Sequence, residues 1–451
     1  MSGRVDLAVV GVGLSGARAI KELIDLLAAS QRCFPRPLRV ALIDPAGEPG
    51  RGVPYGTRSD RRALLIETLE ETRCPEFARW IDANRQLLAG MERSSDADDR
   101  AWYRRNAAAL ARGELAQLYL PRHVFGTFSA LELEAALERG RARGLLSATT
   151  RRAEVIDIEP LSSGYRLRCA DGGLLDCGHV LLAVGSIPRG DQFLRALDAG
   201  LQHRYISDHT YCGSFRLRDA LDEFQRRAPA GPVRLVIIGA AASAIESLYC
   251  AMNHPPLSQR IESVITISRS GMLPNGLTGN RGAAPSDYAR LRTSADVYVA
   301  AARELLEQGR LDIMPALIDS ITGEADALRL DVSDTLDARR RQVIADLVIN
   351  CSGAGDVHTT TSRLLNALGR KLALRRQGRG FLSHVDKSLV QWPRVFLAGP
   401  LLNEGDAAKD VESISAAFRA GRELGRALAA ALMDDIGTRA EVLTVNSAAG
   451  K

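Results

Sequence analysis

Three glycines and an acid carry the first chemistry this chain could do. Gly11, Gly13 and Gly16, with Val12, Leu14 and Ser15 between them, spell G-x-G-x-x-G. The first glycine of such a turn permits a sharp bend, the second lets backbone approach a pyrophosphate, and the third lets the next helix pack close. The helix start adds unpaired N–H groups and the positive end of its dipole. Asp44 is the complementary group, able to accept hydrogen bonds from a ribose diol. It comes later than the usual spacing of about 20 residues, so a long helix or loop must intervene. Residues 31–37, with two prolines, supply that loop. The plain alternative is a solvated turn acid ahead of Pro45.

A second set lies far along the chain. Gly239-Ala240-Ala241-Ala242-Ser243-Ala244 follows the apolar run Arg234–Ile238. Ala241 stands where a middle glycine would, and its methyl crowds a pyrophosphate. This predicts a weakened or re-angled phosphate site, the alternative being a relic turn that binds no nucleotide. Ser268-Arg269 ends the run Val264–Ile267, and Gly353 follows Leu347–Cys351. An arginine beside a hydroxyl, where an acid would suit NAD, fits a 2′-phosphate. NADPH is therefore expected over NADH at Gly239, Ala241, Ser243, Ala244, Ser268, Arg269 and Gly353.

The elements that must position these groups follow from pattern. Val5–Val10 and Arg39–Ile43 are apolar runs suited to buried parallel strands. Residues 60–118, dense in Ala, Arg, Leu and Glu, predict helices, with Asp96–Arg100 a solvated turn between them. A strand is expected over Ala153–Ile158. A hairpin should follow, Tyr165–Cys169 to Leu174–Cys177, turned at Asp171-Gly172-Gly173. A separate strand is expected over His179–Gly185. Near the end, Arg394–Pro400 reads as a strand and turn, and a long helix runs from about Val411 to Met433. The expected class is α/β: a Rossmann-like dinucleotide-binding domain over 1–200 with a helical insertion at about 60–118, a second such domain, suited to NAD(P), inserted at 201–350, a return at 351–437 and a flexible tail at 438–451.

Composition narrows the partners. The 451 residues are 46% hydrophobic and 25% charged, with a net charge of +5, ordinary for a globular protein. Arginines are scattered rather than blocked, which speaks against nucleic acid. No leader-like stretch precedes the first strand, and the longest apolar candidate, Leu235–Met252, is interrupted by Glu246; a cytoplasmic protein without a membrane segment is expected. Seven widely spaced cysteines without a C-x-x-C predict reduced thiols and exclude a dithiol–disulfide reductase. No H-x-x-x-H or H-E-x-x-H occurs, so no metal is expected. A G-x-S-x-G elbow is also missing.

Taken in order, the first glycine turn, the acid-ended strand, the Ala183-Val184-Gly185 strand end, the second turn and Gly399-Pro400 before a helix resemble the two-dinucleotide-binding-domain flavoproteins. Gly50–Thr57, Tyr119–Gly126 and Ile267–Pro274 are similar to segments of the bacterial FAD-NAD(P)-binding family. The resemblance implies FAD on Gly11, Gly13, Leu14, Ser15, Gly16 and Asp44. It adds Arg51, Gly52 and Arg122 near the flavin, and Val155, Ala183, Gly185, Gly399, Asp406 and Ile414 along the site. Arg51 and Tyr55 have the alternative of merely bracing a surface loop. Where the family commonly has Leu-Leu-Asn, this chain has Leu64-Leu65-Ile66-Glu67-Thr68, which implies altered substrate or flavin chemistry. Asn403, Glu404, Asp406 and Glu412 are candidates near the flavin edge, or ordinary capping acids and amides.

The expected function is an FAD-dependent, NADPH-using monooxygenase acting with O2 on a small molecule, such as an amine, through a C4a-peroxyflavin. The alternatives are an NADPH-dependent flavin reductase or dehydrogenase, and a non-catalytic FAD-binding partner subunit. The signature F-x-G-x-x-x-H is missing, and no catalytic base stands out. Arg51, Tyr55, His209 and Asn403 are the candidates for catalysis, His209 as a pH-tuned group or an ordinary loop histidine. A homo-oligomer or a protein partner stays open.

Overall fold

The computed structural model describes residues 3–30, 35–188, 190–207, 217–280, 282, 294–353, 355–371, 376–377, 380–402 and 414–448. The chain divides into two compact units. One holds residues 1–56, 125–189 and 355–451, the other 57–124 and 190–354.

The first unit is built on Val5–Val10. This strand pairs in parallel with Leu38–Ile43 on one side and with Leu174–Leu182 on the other. Leu146–Arg151 adds outside Leu38–Ile43, and Val395–Leu397 outside Leu174–Leu182. Alternate side chains fall in two cores. Ala8, Val10, Ala41 and Ile43 pack on one face of the sheet, Leu7, Val9, Val40 and Leu42 on the other. Burial on both faces is why these strands are uninterrupted apolar runs. The expected hairpin and the strand after it are one element: Leu174–Leu182 pairs antiparallel with Gly164–Cys169 at its start and joins the parallel sheet with its second half.

Helix Leu14–Ala29 lies against helix Ile414–Ala448. Gly421 and Gly425, one turn apart, make the contact: a Cβ on Gly421 would stand 2.6 Å from Arg18 Cβ, and one on Gly425 2.8 Å from the Ala19 carbonyl. Small residues here let two backbones come close. The C-terminal helix passes through Gly437 to Ala448, where a flexible tail was expected from residue 438. Good helix formers after Gly437, Arg439-Ala440-Glu441, account for the continuation.

The second unit has a sheet ordered Arg340–Ala345, Ala327–Asp334, Leu311–Glu324, Ile261–Ser268, Val233–Ile238, Leu347–Asn350, Tyr205–Ile206. Its central strands are parallel. Residues 57–124 belong to this unit, where the sequence suggested an insertion in the first. Polar bonds that no local pattern reveals hold them there. Arg62 donates to the Cys250 carbonyl at 2.6 Å, and the Leu64 N–H donates to the Tyr298 hydroxyl at 2.6 Å. Within the segment, Asp96–Arg100 is not a solvated turn. Asp96 caps helix Ala97–Arg112 by accepting from the Asp98 N–H at 2.8 Å, and Asp99 is buried. Acids in a first turn suit the helix dipole.

Candidate dinucleotide sites

In the first unit, the C-terminal ends of the parallel strands meet at the glycine turn. The Gly11 N–H donates to the Ile43 carbonyl at 2.9 Å, the Ala183 N–H to Val10 at 2.8 Å, and the Ala398 N–H to Leu182 at 2.9 Å. Gly11, Asp44, Ala183 and Gly399 thus close four neighbouring strands. Ligands of open α/β sheets bind beyond such carboxyl ends. Gly11 has φ +85°, and a Cβ there would strike the Ala183 carbonyl. Gly16 would bring a Cβ to 2.6 Å from the Gly11 carbonyl and 3.3 Å from Ala183 Cβ. Both glycines are therefore required by the turn itself.

Gly13 and Gly52 face each other. A Cβ on Gly13 would stand 3.3 Å from Gly52 Cα, and one on Gly52 3.1 Å from Gly13 Cα. The Gly50 N–H donates to the Val12 carbonyl at 2.6 Å, drawing the arginine loop onto the turn. Gly13 then precedes helix Leu14–Ala29 as its N-cap without a capping side chain. The first N–H groups of that helix, Leu14 and Ser15 among them, lack an intrahelical partner, a cradle that fits a pyrophosphate. Arg51 precedes the short helix Gly52–Tyr55. Tyr55 meets the Phe125 ring edge-on at 5.0 Å, and its carbonyl lies where a Cβ on Gly126 would be.

Asp44 is buried rather than solvated. One carboxylate oxygen accepts from the Val12 N–H at 3.1 Å, the other from Ala46 and Gly47 at 2.9 and 3.2 Å. The acid is fixed beside the glycine turn by three backbone donors. Val155 is buried in the core with Ala8 and Val10. Gly185 and Gly399 have φ of +75° and +62°, with open space where a Cβ would be. Ile414 is buried at the start of the C-terminal helix.

In the second unit, Gly239 repeats the role of Gly11. Its φ is +119°, its N–H donates to the Ile267 carbonyl at 2.8 Å, and a Cβ would strike the Cys351 carbonyl. Ala241 is the N-cap of helix Ala242–Met252 with extended backbone at φ −86°. Ser243 and Ala244, in the first turn, are buried. Ser268 accepts the Gly271 N–H at 3.1 Å, and Arg269 stands exposed beside it. Gly353, at φ +95°, is exposed past the end of Leu347–Asn350.

Arg122 belongs to the second unit, donating to Glu246 at 2.5 Å and to the Leu64 carbonyl at 3.0 Å, with both charged partners nearly fully buried. Glu246 neutralises its charge on helix Ala242–Met252. A lone acid in an apolar helix was the only sequence signal of this pair. Nearby, burial would push the Asp60 carboxyl up, but the hydrogen bonds and charge of Arg62, at 2.7 Å, outweigh it and hold the group below the usual range. Burial pushes the Cys250 thiol and the Tyr298 phenol well up. The altered segment after Leu65 forms a reciprocal cap: the Thr68 N–H donates to Glu71 at 2.8 Å, and the Glu71 N–H to Thr68 Oγ1 at 3.3 Å.

His209, Asn403, Glu404, Asp406 and Glu412 lie outside the described residues. Among the described residues no group of three His, Cys, Asp or Glu side chains is placed to hold a metal. No described helix is long and apolar enough to cross a membrane.

The model of a family described as FAD-NAD(P)-binding matches residues 8–187. An uncharacterized protein of Mycobacterium tuberculosis strain H37Rv is 29% identical over 324 residues, covering 69% of this chain and 59% of the relative; its Mycobacterium bovis counterpart aligns equally. The chain thus spans about three-fifths of the length of these curated relatives. The structure is similar to the FAD-bound cadaverine monooxygenase of Erwinia amylovora, at TM-score 0.61 and 12% identity over 94% of both chains. It is similar to L-lysine 6-monooxygenase from Pseudomonas syringae, at 0.57 and 17% over 96% of this chain and 99% of that one. It also resembles thioredoxin reductase from T. acidophilum, at 0.52 and 15% over 95% and 99%. Residues 8–187 are thus similar to the FAD-NAD(P)-binding family, and the chain has the two-Rossmann-domain α/β fold of these solved structures.

Proposed function

We propose that the chain is an FAD-dependent, NADPH-using monooxygenase that oxygenates a small molecule, an amine being the first class to try. The observation that carries the flavoprotein reading is the Gly13–Gly52 approach beneath an uncapped helix start, with Asp44 fixed alongside. FAD held there would supply hydride acceptance and oxygen activation. The chain's own groups would do the rest. Gly13, Leu14 and Ser15 would present backbone N–H groups to the pyrophosphate, and Asp44 would accept from the adenosine ribose. Ser15 and Gly16 open the helix whose dipole favours the phosphates. Arg51 would offer its guanidinium to an anionic edge.

In the second unit, the start of helix Ala242–Met252 would take the coenzyme phosphates. Arg269 would bind a 2′-phosphate and so select NADPH. The solved lysine and cadaverine enzymes, by their names, support trying amines first. Purified protein with FAD and NADPH should be screened in air with lysine, ornithine and cadaverine. A substrate should yield hydroxylated product in proportion to NADPH consumed, with little hydrogen peroxide. NADPH consumption that yields only peroxide with every amine, and is speeded by a quinone, would favour the reductase.

A further inference from the structure

The second unit contains a closed polar network that neither glycine motif uses. Asn350 ends the strand beside Val233–Ile238 and is 8% exposed. Its side-chain nitrogen donates to Asp191 Oδ2 at 2.8 Å and to the Tyr205 hydroxyl at 2.9 Å. Tyr205 itself donates to the same Asp191 oxygen at 2.8 Å. The other Asp191 oxygen accepts from the N–H groups of Phe193 and Leu194 at 3.0 and 3.2 Å. On its far side, the Asn350 oxygen accepts from the Ser352 N–H at 3.0 Å and the Ser352 hydroxyl at 2.6 Å.

A network satisfied at both ends fixes one orientation of the amide. It therefore also fixes the backbone just beyond it. The Cys351 N–H donates to the Ile238 carbonyl at 2.6 Å, and the Cys351 carbonyl occupies the place a Cβ on Gly239 would need. The loop after Asn350 is thus the wall against which the second glycine turn is shaped. Without a middle glycine at 241, that turn has less tolerance for a shifted wall.

We propose that Asn350 is a positioning residue for a dinucleotide coenzyme, holding Cys351–Gly353 against the Gly239 turn through Asp191, Tyr205 and Ser352. The proposal rests on the reading of Gly239–Ala244 as a coenzyme site. Asn350 works through the loop and need not touch the coenzyme. Its loss weakens binding more than turnover, because saturating coenzyme can select the competent loop.

The test is calorimetric titration of NADP+ into the FAD-loaded protein, with melting temperature and flavin spectrum recorded for each variant. Asn350→Leu is expected to raise the NADP+ Kd about tenfold and Tyr205→Phe about threefold, the range set by losing one or two buried hydrogen bonds. KM for NADPH should rise in step while kcat changes less than about twofold. Asp346→Asn is the stability control. It disturbs the Arg234 ion pair at the opposite end of the same strand and should lower the melting temperature without moving Kd. Unchanged Kd in both network variants, with wild type binding normally, overturns the role of Asn350. An equal loss of affinity in Asp346→Asn overturns it too, as the network would then be merely structural. Wild type that binds no NADP+ overturns the coenzyme reading and the proposal with it.

Discussion

Ala241 and Gly13 occupy equivalent turns and differ by one methyl group. At Gly13 that group would be tightly placed, with Gly52 Cα 3.3 Å from where it would be. Ala241 carries it at the N-cap, with a backbone conformation that glycine can also adopt. Ala241→Gly should therefore lower KM for NADPH several-fold by easing the approach of the pyrophosphate, with flavin content unchanged. Steady-state kinetics at fixed oxygen would show it, and an unchanged or raised KM would mean the methyl does not face the phosphates. Asp44 shows how far a residue can be read in advance. Its place at a strand end was legible, because strand, turn and acid are local. The three backbone donors that anchor it were not, because they come from Val12 and from a turn whose geometry the sequence does not spell.

Helices and strands were legible where their signal was short-range. Val5–Val10, Leu38–Ile43, Val233–Ile238 and Leu347–Asn350 are buried runs between turn residues. Leu174–Leu182 was divided in two, since a strand that changes partners midway has no local mark of doing so. The helical stretch at about 60–118 was assigned by sequence order, whereas residues 57–124 join the second unit through bonds such as Arg122 to Glu246, 124 residues apart. That pair is almost without solvent. Removing one partner leaves a buried charge and should cost about 3–5 kcal/mol, while replacing both by apolar groups is often neutral. Glu246→Gln should thus melt several degrees below wild type, and the double variant Arg122→Met with Glu246→Leu should recover most of the loss. Thermal scans decide it, and a double variant no better than the single would show that the pair has a role beyond mutual neutralisation.

Across the whole molecule, the parallel core of each of two mixed sheets ends in a glycine turn and a helix start, and the chain crosses between the units and returns. That order was the most legible feature, because each turn is a local motif and their succession survives errors in the elements between. The substrate was the least legible. Glu404, Asp406 and Glu412 fall outside the described residues, and Thr68 and Glu71 form a local cap whose occurrence names no ligand. In the proposed function, the first glycine turn holds FAD and the second holds NADPH, which reduces the flavin. The direct measurement is the visible spectrum of the purified protein, followed without oxygen as NADPH is added. The expected result is a bound flavin that bleaches and returns on admitting air. A bound flavin that stays oxidised under excess NADPH, or a protein that takes up no FAD at all, would contradict it.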